Sequence, residues 1–123
     1  MAGKNPIGWF EIYVSDFDKA IKFYGGIFNW EFKQSHDPKS LYWTIFTGEG
    51  SIGGGFMKKE KPDHNGQSVI LYVEVENIED TLKKISEYGG KVNTAKTLIS
   101  ETSGSFGLFN DMDGTLIGLW SRN

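Results

Sequence analysis

The sequence predicts an α+β protein of two tandem βαβββ modules, whose strands form a curved mixed sheet around a cleft. Three observations lead there. The stretches Phe10–Ile27 and Leu71–Tyr88 share one order: an alternating strand, an acidic or amide turn, then an amphipathic helix. The turn residues Asp16 and Asn77 set an offset of 61, at which Phe17, Ala20, Ile21, Tyr24 and Ile27 align with Ile78, Thr81, Leu82, Ile85 and Tyr88 as inward helix positions. Further strands follow each helix, ending in turn-punctuated hairpins. Two copies of a pattern make a paired module rather than a solenoid. Module one is assigned to 7–58, the linker to 59–66 and module two to 67–121, within one domain of a 123-residue chain.

The elements follow in order. Trp9–Ser15 alternates, with Phe10, Ile12 and Val14 on one face and Trp9, Glu11 and Tyr13 on the other. Asp16 is the expected N-cap of a helix to about Phe28, with Asn29 as a left-handed stop. Gly25 and Gly26 weaken this helix unless it approaches the sheet closely. Trp30–Gln34 is a strand, Ser35–Ser40 a turn, and Leu41–Thr47 with Ile52–Met57 a hairpin around Gly48, Glu49 and Gly50. Gly53, Gly54 and Gly55 lie inside the second hairpin strand and mark a bulge or a floor approached by a ligand or another backbone. After the linker, Ser68–Val75 puts Val69, Leu71, Val73 and Val75 on one face and Ile70, Tyr72 and Glu74 on the other. Asn77 caps the second helix, Gly89 and Gly90 end it, and Lys91–Thr97 is a strand. Ile99–Gly104 reads as a polar loop, and Phe106–Phe109 with Leu116–Trp120 as a closing hairpin around Asp111–Gly114.

Composition narrows the function. The formal charge of -3 repels phosphate backbones, so nucleic acid is not an expected partner. Lys58, Lys59 and Lys61 are interrupted by Glu60 and read as a solvated connector. The chain has no cysteine, which removes disulfides and thiolate chemistry. No apolar stretch approaches the ~18 residues of a membrane span, and MAGKNPIGW lacks the apolar run of a signal peptide, so a soluble cytoplasmic protein with no membrane partner is expected. The two histidines, His36 and His64, fall in loops without metal-ligand spacing and read as surface residues.

The stretch PIGWFEIYVSDFDKAIKFYGGIFNWEF resembles the opening of the vicinal oxygen chelate superfamily, which holds glyoxalase I, extradiol dioxygenases and bleomycin-resistance proteins. GSFGLFNDMDGTLIGLW resembles its closing hairpin, with the D-x-D-G turn. The resemblance implies four inward ligand positions in the metal-using members, one on the first and one on the last strand of each repeat. They fall here on Trp9, near Gly55, on Ile70 and on Gly118. None offers a nitrogen or oxygen lone pair from its side chain, so neither metal nor other cofactor is expected. The resemblance also implies a homodimer.

Strand parity then nominates Trp9, Glu11, Tyr13, Tyr72, Glu74, Leu116 and Trp120 as ligand-binding residues. Aromatics with carboxylates suit a flat or cationic small molecule. Glu11 and Glu74 are the candidates for a general base, should burial raise their pKa. The expected function is therefore a superfamily protein without the metal ligands, binding a small aromatic or cationic molecule in its cleft rather than acting as an enzyme. The alternatives are a metal-dependent lyase or dioxygenase of glyoxalase type, on family precedent, and a dimeric interaction module whose cleft is filled.

Overall fold

The computed structural model describes residues 3–35, 41–59 and 68–123. His36, Pro38, His64 and most of the linker lie outside the described residues. The contacts divide into two compact units, Trp9–Val69 and Ile70–Asn123, the second joined by the N-terminal residues up to Gly8.

The first unit carries β1 (Ile7–Val14), α1 (Phe17–Phe28), β2 (Glu31–Gln34), β3 (Tyr42–Phe46) and β4 (Gly53–Lys58). Its strands lie in the order β2-β3-β4-β1. The β2–β3–β4 pairs are antiparallel and β1 runs parallel to β4. Local chemistry sets the helix ends. The Asp16 carboxylate accepts from the Lys19 N–H at 3.0 Å, satisfying one of the free donors of the first turn. Asn29 turns left-handed at φ 61 and donates its N–H to the Gly25 carbonyl. Gly25 answers to close packing: a β-carbon there would sit 3.1 Å from the Phe32 ring. Ala20, Ile45 and Phe56 form the buried centre, with Phe10, Ile12 and Tyr24 packed around it. Phe10, Ile12 and Val14 thus face α1, as the alternation requires, and Trp9, Glu11 and Tyr13 face the other way. Stacked pairs, Tyr24 on Trp30 at 5.4 Å and Phe32 on Phe56 at 5.5 Å, extend the core under the helix.

The second unit repeats the order with β5 (Val69–Glu74), α2 (Ile78–Glu87), β6 (Lys91–Ser100), β7 (Gly104–Asn110) and β8 (Leu116–Ser121). The strands lie β5-β8-β7-β6, with β5 parallel to β8 and the other pairs antiparallel. Asn77 caps α2 through its side-chain oxygen, which accepts from the Asp80 N–H at 2.9 Å. Val75, Ile78, Leu82 and Leu119 close the core beneath the helix. Among the described residues no helix is long and apolar enough to cross a membrane.

Two sequence expectations need correction. Ile99–Gly104 is not a loop: β6 continues to Ser100, only Glu101–Ser103 turn, and β7 begins at Gly104. The Lys91–Ser100 strand stays paired through register shifts near Thr94, Thr97 and Ser100, which break the alternation that marks a strand in sequence. Ile27 and Tyr88 are not inward either, being 59% and 85% exposed. Tyr88 is the C-cap at φ -94, ψ 9, so the helical phase ends before it. The inward stripe stops at Tyr24 and Ile85, one turn earlier than the repeat suggests.

Phe56 is 0% exposed at the centre of the first unit. Phe56→Ala is expected to lower unfolding stability by about 3–5 kcal/mol, measured by urea denaturation, because the cavity it leaves is walled by rings that cannot collapse into it.

Candidate functional site

Alternation on β1 places Trp9, Glu11 and Tyr13 on the face turned away from α1. The parallel neighbour β4 sets Gly53 beside Trp9, Gly55 beside Glu11 and Met57 beside Tyr13. The next strand, β3, sets Thr44 beside Gly55 and Tyr42 beside Met57. Strands β1 and β3 are two spacings apart, roughly 10 Å. Their side chains meet only where β4 puts nothing between them, and Gly55 leaves that space.

Tyr42 fills it. Its ring lies over Gly55, where a β-carbon would overlap the ring and hydroxyl. Its O–H donates to Glu11 Oε2 at 3.0 Å, and its oxygen accepts from the Trp9 indole N–H at 2.8 Å. The Trp9 ring leans over Gly53, where a β-carbon would be 3.2 Å away. Gly54, pointing to the opposite face, is covered by the Phe10 ring at 2.5 Å from its missing β-carbon. The three glycines are therefore seats for aromatic rings of the same unit. They are not a bare floor, which corrects the expectation of a ligand or another backbone at these positions.

This arrangement fixes the electrostatics. Burial and then the Glu11 charge push the Tyr13 phenol up to about 12. Burial, again ahead of the Glu11 charge, raises Tyr42 well above the usual phenol range, with the Trp9 hydrogen bond opposing. Tyr42 is thus a neutral phenol, its one proton committed to Glu11. Tyr42 is the residue the sequence reading missed. Pairing the hairpin strands in register would have put it on the Glu11 face, one diagonal from Gly55.

In the second unit Tyr72 and Glu74 stand opposite Gly118 and Trp120. The Tyr72 ring covers Gly118, where a β-carbon would overlap it. Leu116 is buried at 2% exposure. The Trp120 indole N–H donates to the Ser103 carbonyl at 2.7 Å, and the Arg122 guanidinium stands 5.5 Å from its ring. Glu74 borders an open hollow of about 640 Å³ lined by Lys4, Asn5, Glu76, Asp80 and Lys84 within this unit. Its charges are mixed and it holds no aromatic side chain, in contrast to the Trp9–Tyr42–Glu11 cluster of the first unit.

A divalent ion does not fit the positions that the resemblance implies. Trp9 spends its N–H on Tyr42, Ile70 is 0% exposed, and tyrosine rings cover Gly55 and Gly118. Such an ion needs several lone-pair donors converging on one point. Among the described residues no three His, Cys, Asp or Glu side chains converge in that way.

The tyrosine environment has a measurable consequence at high pH. Neutral Tyr13 and Tyr42 are favoured in the folded state, so their contribution to stability is complete below the ordinary phenol value near 10. It is lost as pH rises from there through about 12 for Tyr13. Absorbance titration at 295 nm should therefore show Tyr13 ionising near 12, shifted down in Glu11→Gln, while Tyr42 ionises only with unfolding. Gly55→Ala should destabilise the fold by about 1–3 kcal/mol in urea, since the new methyl group forces Tyr42 off its seat.

Comparison with known proteins agrees with this fold. The sequence pattern of the Glyoxalase/Bleomycin resistance protein/Dioxygenase superfamily matches residues 6–119. A glyoxylase-like domain-containing protein of Didymella fabae is 27% identical over 122 residues, covering 94% of this chain and 93% of that protein. The crystal structure of a superfamily member from Vibrio splendidus 12B01 superposes with a TM-score of 0.68 at 17% identity, over 96% of this chain and 99% of that one. Methylmalonyl-CoA epimerase from Mycobacterium tuberculosis does so with a TM-score of 0.68 at 13% identity, over 100% and 93%. With the match spanning nearly all of its length, the chain belongs to the glyoxalase/bleomycin resistance protein/dioxygenase superfamily.

Proposed function

We propose that this protein is a metal-independent small-molecule binder, taking an aromatic or cationic compound on the helix-free face of its first unit. Trp9, Glu11 and Tyr13 make the contacts and Tyr42 braces them. The observation that carries the proposal is the chain of hydrogen bonds from Trp9 through Tyr42 to Glu11. It locks two large rings and a carboxylate in place before a ligand arrives, which reduces the ordering cost of binding. The superfamily's scaffold serves many chemistries, so function rests on this cluster and not on the fold. Glu11 orients a ligand here and performs no proton transfer. On the second unit's own face Glu74 and Trp120 are the proposed contact residues; Tyr72 and Leu116, also expected there from parity, are buried in the unit and support that face from beneath. The proposal includes a cytoplasmic location, read from the sequence, and a homodimer, which the resemblance implies and sizing in solution checks.

The test is a thermal-shift screen with planar aromatic and cationic compounds. At least one should raise Tm in proportion to log concentration, as ligands selective for the folded state do. Tyr13→Ala should weaken that compound by about fivefold, the worth of one ring contact. A folded protein shifted by none of the panel contradicts the proposal.

A further inference from the structure

Resting on the homodimer reading above, we infer that a second copy of this chain docks on the outer flank of α1, helix against helix and antiparallel. The helix carries more apolar surface than the sheet beneath it uses. Phe17, Ala20, Ile21 and Tyr24 belong to the core of the first unit. Phe23, Ile27 and Phe28 lie outside that cluster and are 58%, 59% and 55% exposed. A surface helix ordinarily buries one apolar stripe and turns polar groups to water. Nor does the fold call for a ring at position 23: at the repeat offset of 61, Phe23 falls on Lys84, an exposed charge. The exposed rings form one patch with their half-buried neighbours. Phe23 stands 5.2 Å from Tyr24, Tyr24 6.3 Å from Phe28, and Phe28 5.5 Å from Trp30, centroid to centroid.

The size of the patch and its charge suit a second copy. At those exposures the three side chains leave roughly 300 Å² open, taking about 150–250 Å² for each large apolar residue. A stable dimer buries about 800 Å² per partner, about 65% of it apolar. Phe23, Ile27 and Phe28 therefore supply more than half of the apolar share, and Tyr24, Trp30 and the alkyl stem of Lys19 border them. Lys19, Phe23 and Ile27 stand at i, i+4 and i+8, one above another on a single stripe. A two-fold axis beside position 25 sets two such stripes antiparallel. Phe23 then meets Ile27 of the partner subunit and the reverse, so the contact is isologous and closes. The same operation carries Lys19 to the C-terminal end of the other α1. That end has Asn29 as its cap and no basic residue in its last turn, while its free carbonyls carry partial negative charge. A lysine from the second copy complements it, and the symmetry makes this contact twice.

The experiment is sedimentation velocity over a concentration series, with circular dichroism to confirm folding. The unaltered protein should be a dimer. Phe23→Glu and Ile27→Glu should each raise the dimer dissociation constant by at least about thirtyfold, the loss expected at the centre of an interface. Tyr88→Glu, at the repeat counterpart of Ile27, should leave it unchanged. The chain has no cysteine, which allows a second measurement should the glutamate variants fail to fold. Phe23→Cys mixed with Ile27→Cys should form an intermolecular disulfide under mild oxidation, faster than either variant alone, since only the mixture brings the two sulfurs within bonding range. A dimer that survives both glutamate substitutions, or one that gives no faster cross-link in the mixture, would overturn the inference and leave the homodimer standing. A monomer at all concentrations would overturn both and assign the flank to an unlike partner. The thermal-shift screen reads small-molecule binding separately in every case.

Discussion

One hydroxyl group ties the candidate site together. The Tyr42 oxygen accepts from Trp9 and its proton goes to Glu11, so a side chain on β3 is fastened to two side chains on β1 across the full width of β4. Each partner depends on it. Without Tyr42 the Trp9 indole N–H and the Glu11 carboxylate would each lose this hydrogen bond in a half-buried setting. A group removed from water without a partner costs about 1–3 kcal/mol, more than the same bond contributes when formed. Tyr42 therefore helps to hold the Trp9 and Glu11 side chains in one geometry.

That geometry depends in turn on the absence of side chains. Glycines inside a strand weaken it, since they give up backbone entropy and pack nothing. Here the loss is offset three times over: Trp9 on Gly53, Phe10 on Gly54 and Tyr42 on Gly55. The alternation of the strand sends Phe10 into the helix-facing core and the other two to the opposite face, so one glycine run serves both the fold and the site. In the second unit Gly118 seats Tyr72 in the same manner. At two last-strand positions where the resemblance implies ligands in metal-using members, near Gly55 and at Gly118, this chain has tyrosine rings held over glycine.

Much of the fold was legible in the sequence because its signals are local. Asp16 and Asn77 name the helix starts, Asn29 a helix stop, and period-two alternation the face of β1 that meets α1. The closing stretch of β6 was not legible, since its bulged pairing with β7 erases alternation. The outward turn of Ile27 and Tyr88 was not either, because a helical stripe reports phase and not the length of sheet beneath it. Of the candidate site, the placement of Trp9, Glu11 and Tyr13 on the face turned away from α1 followed from parity. Tyr42 did not, for it reaches Glu11 across a strand in a register that only pairing sets, and its neighbour in sequence, Trp43, points into the core.

Tyrosine rings and a hydrogen-bonded indole stand at positions where the resemblance implies ligands in metal-using relatives. Elemental analysis tests this most directly, on protein purified without chelator and then dialysed against nickel, zinc, manganese and cobalt. Bound metal should stay well below one ion per chain for all four. One ion retained per chain, and released when Glu11 or Tyr42 is replaced, would contradict it.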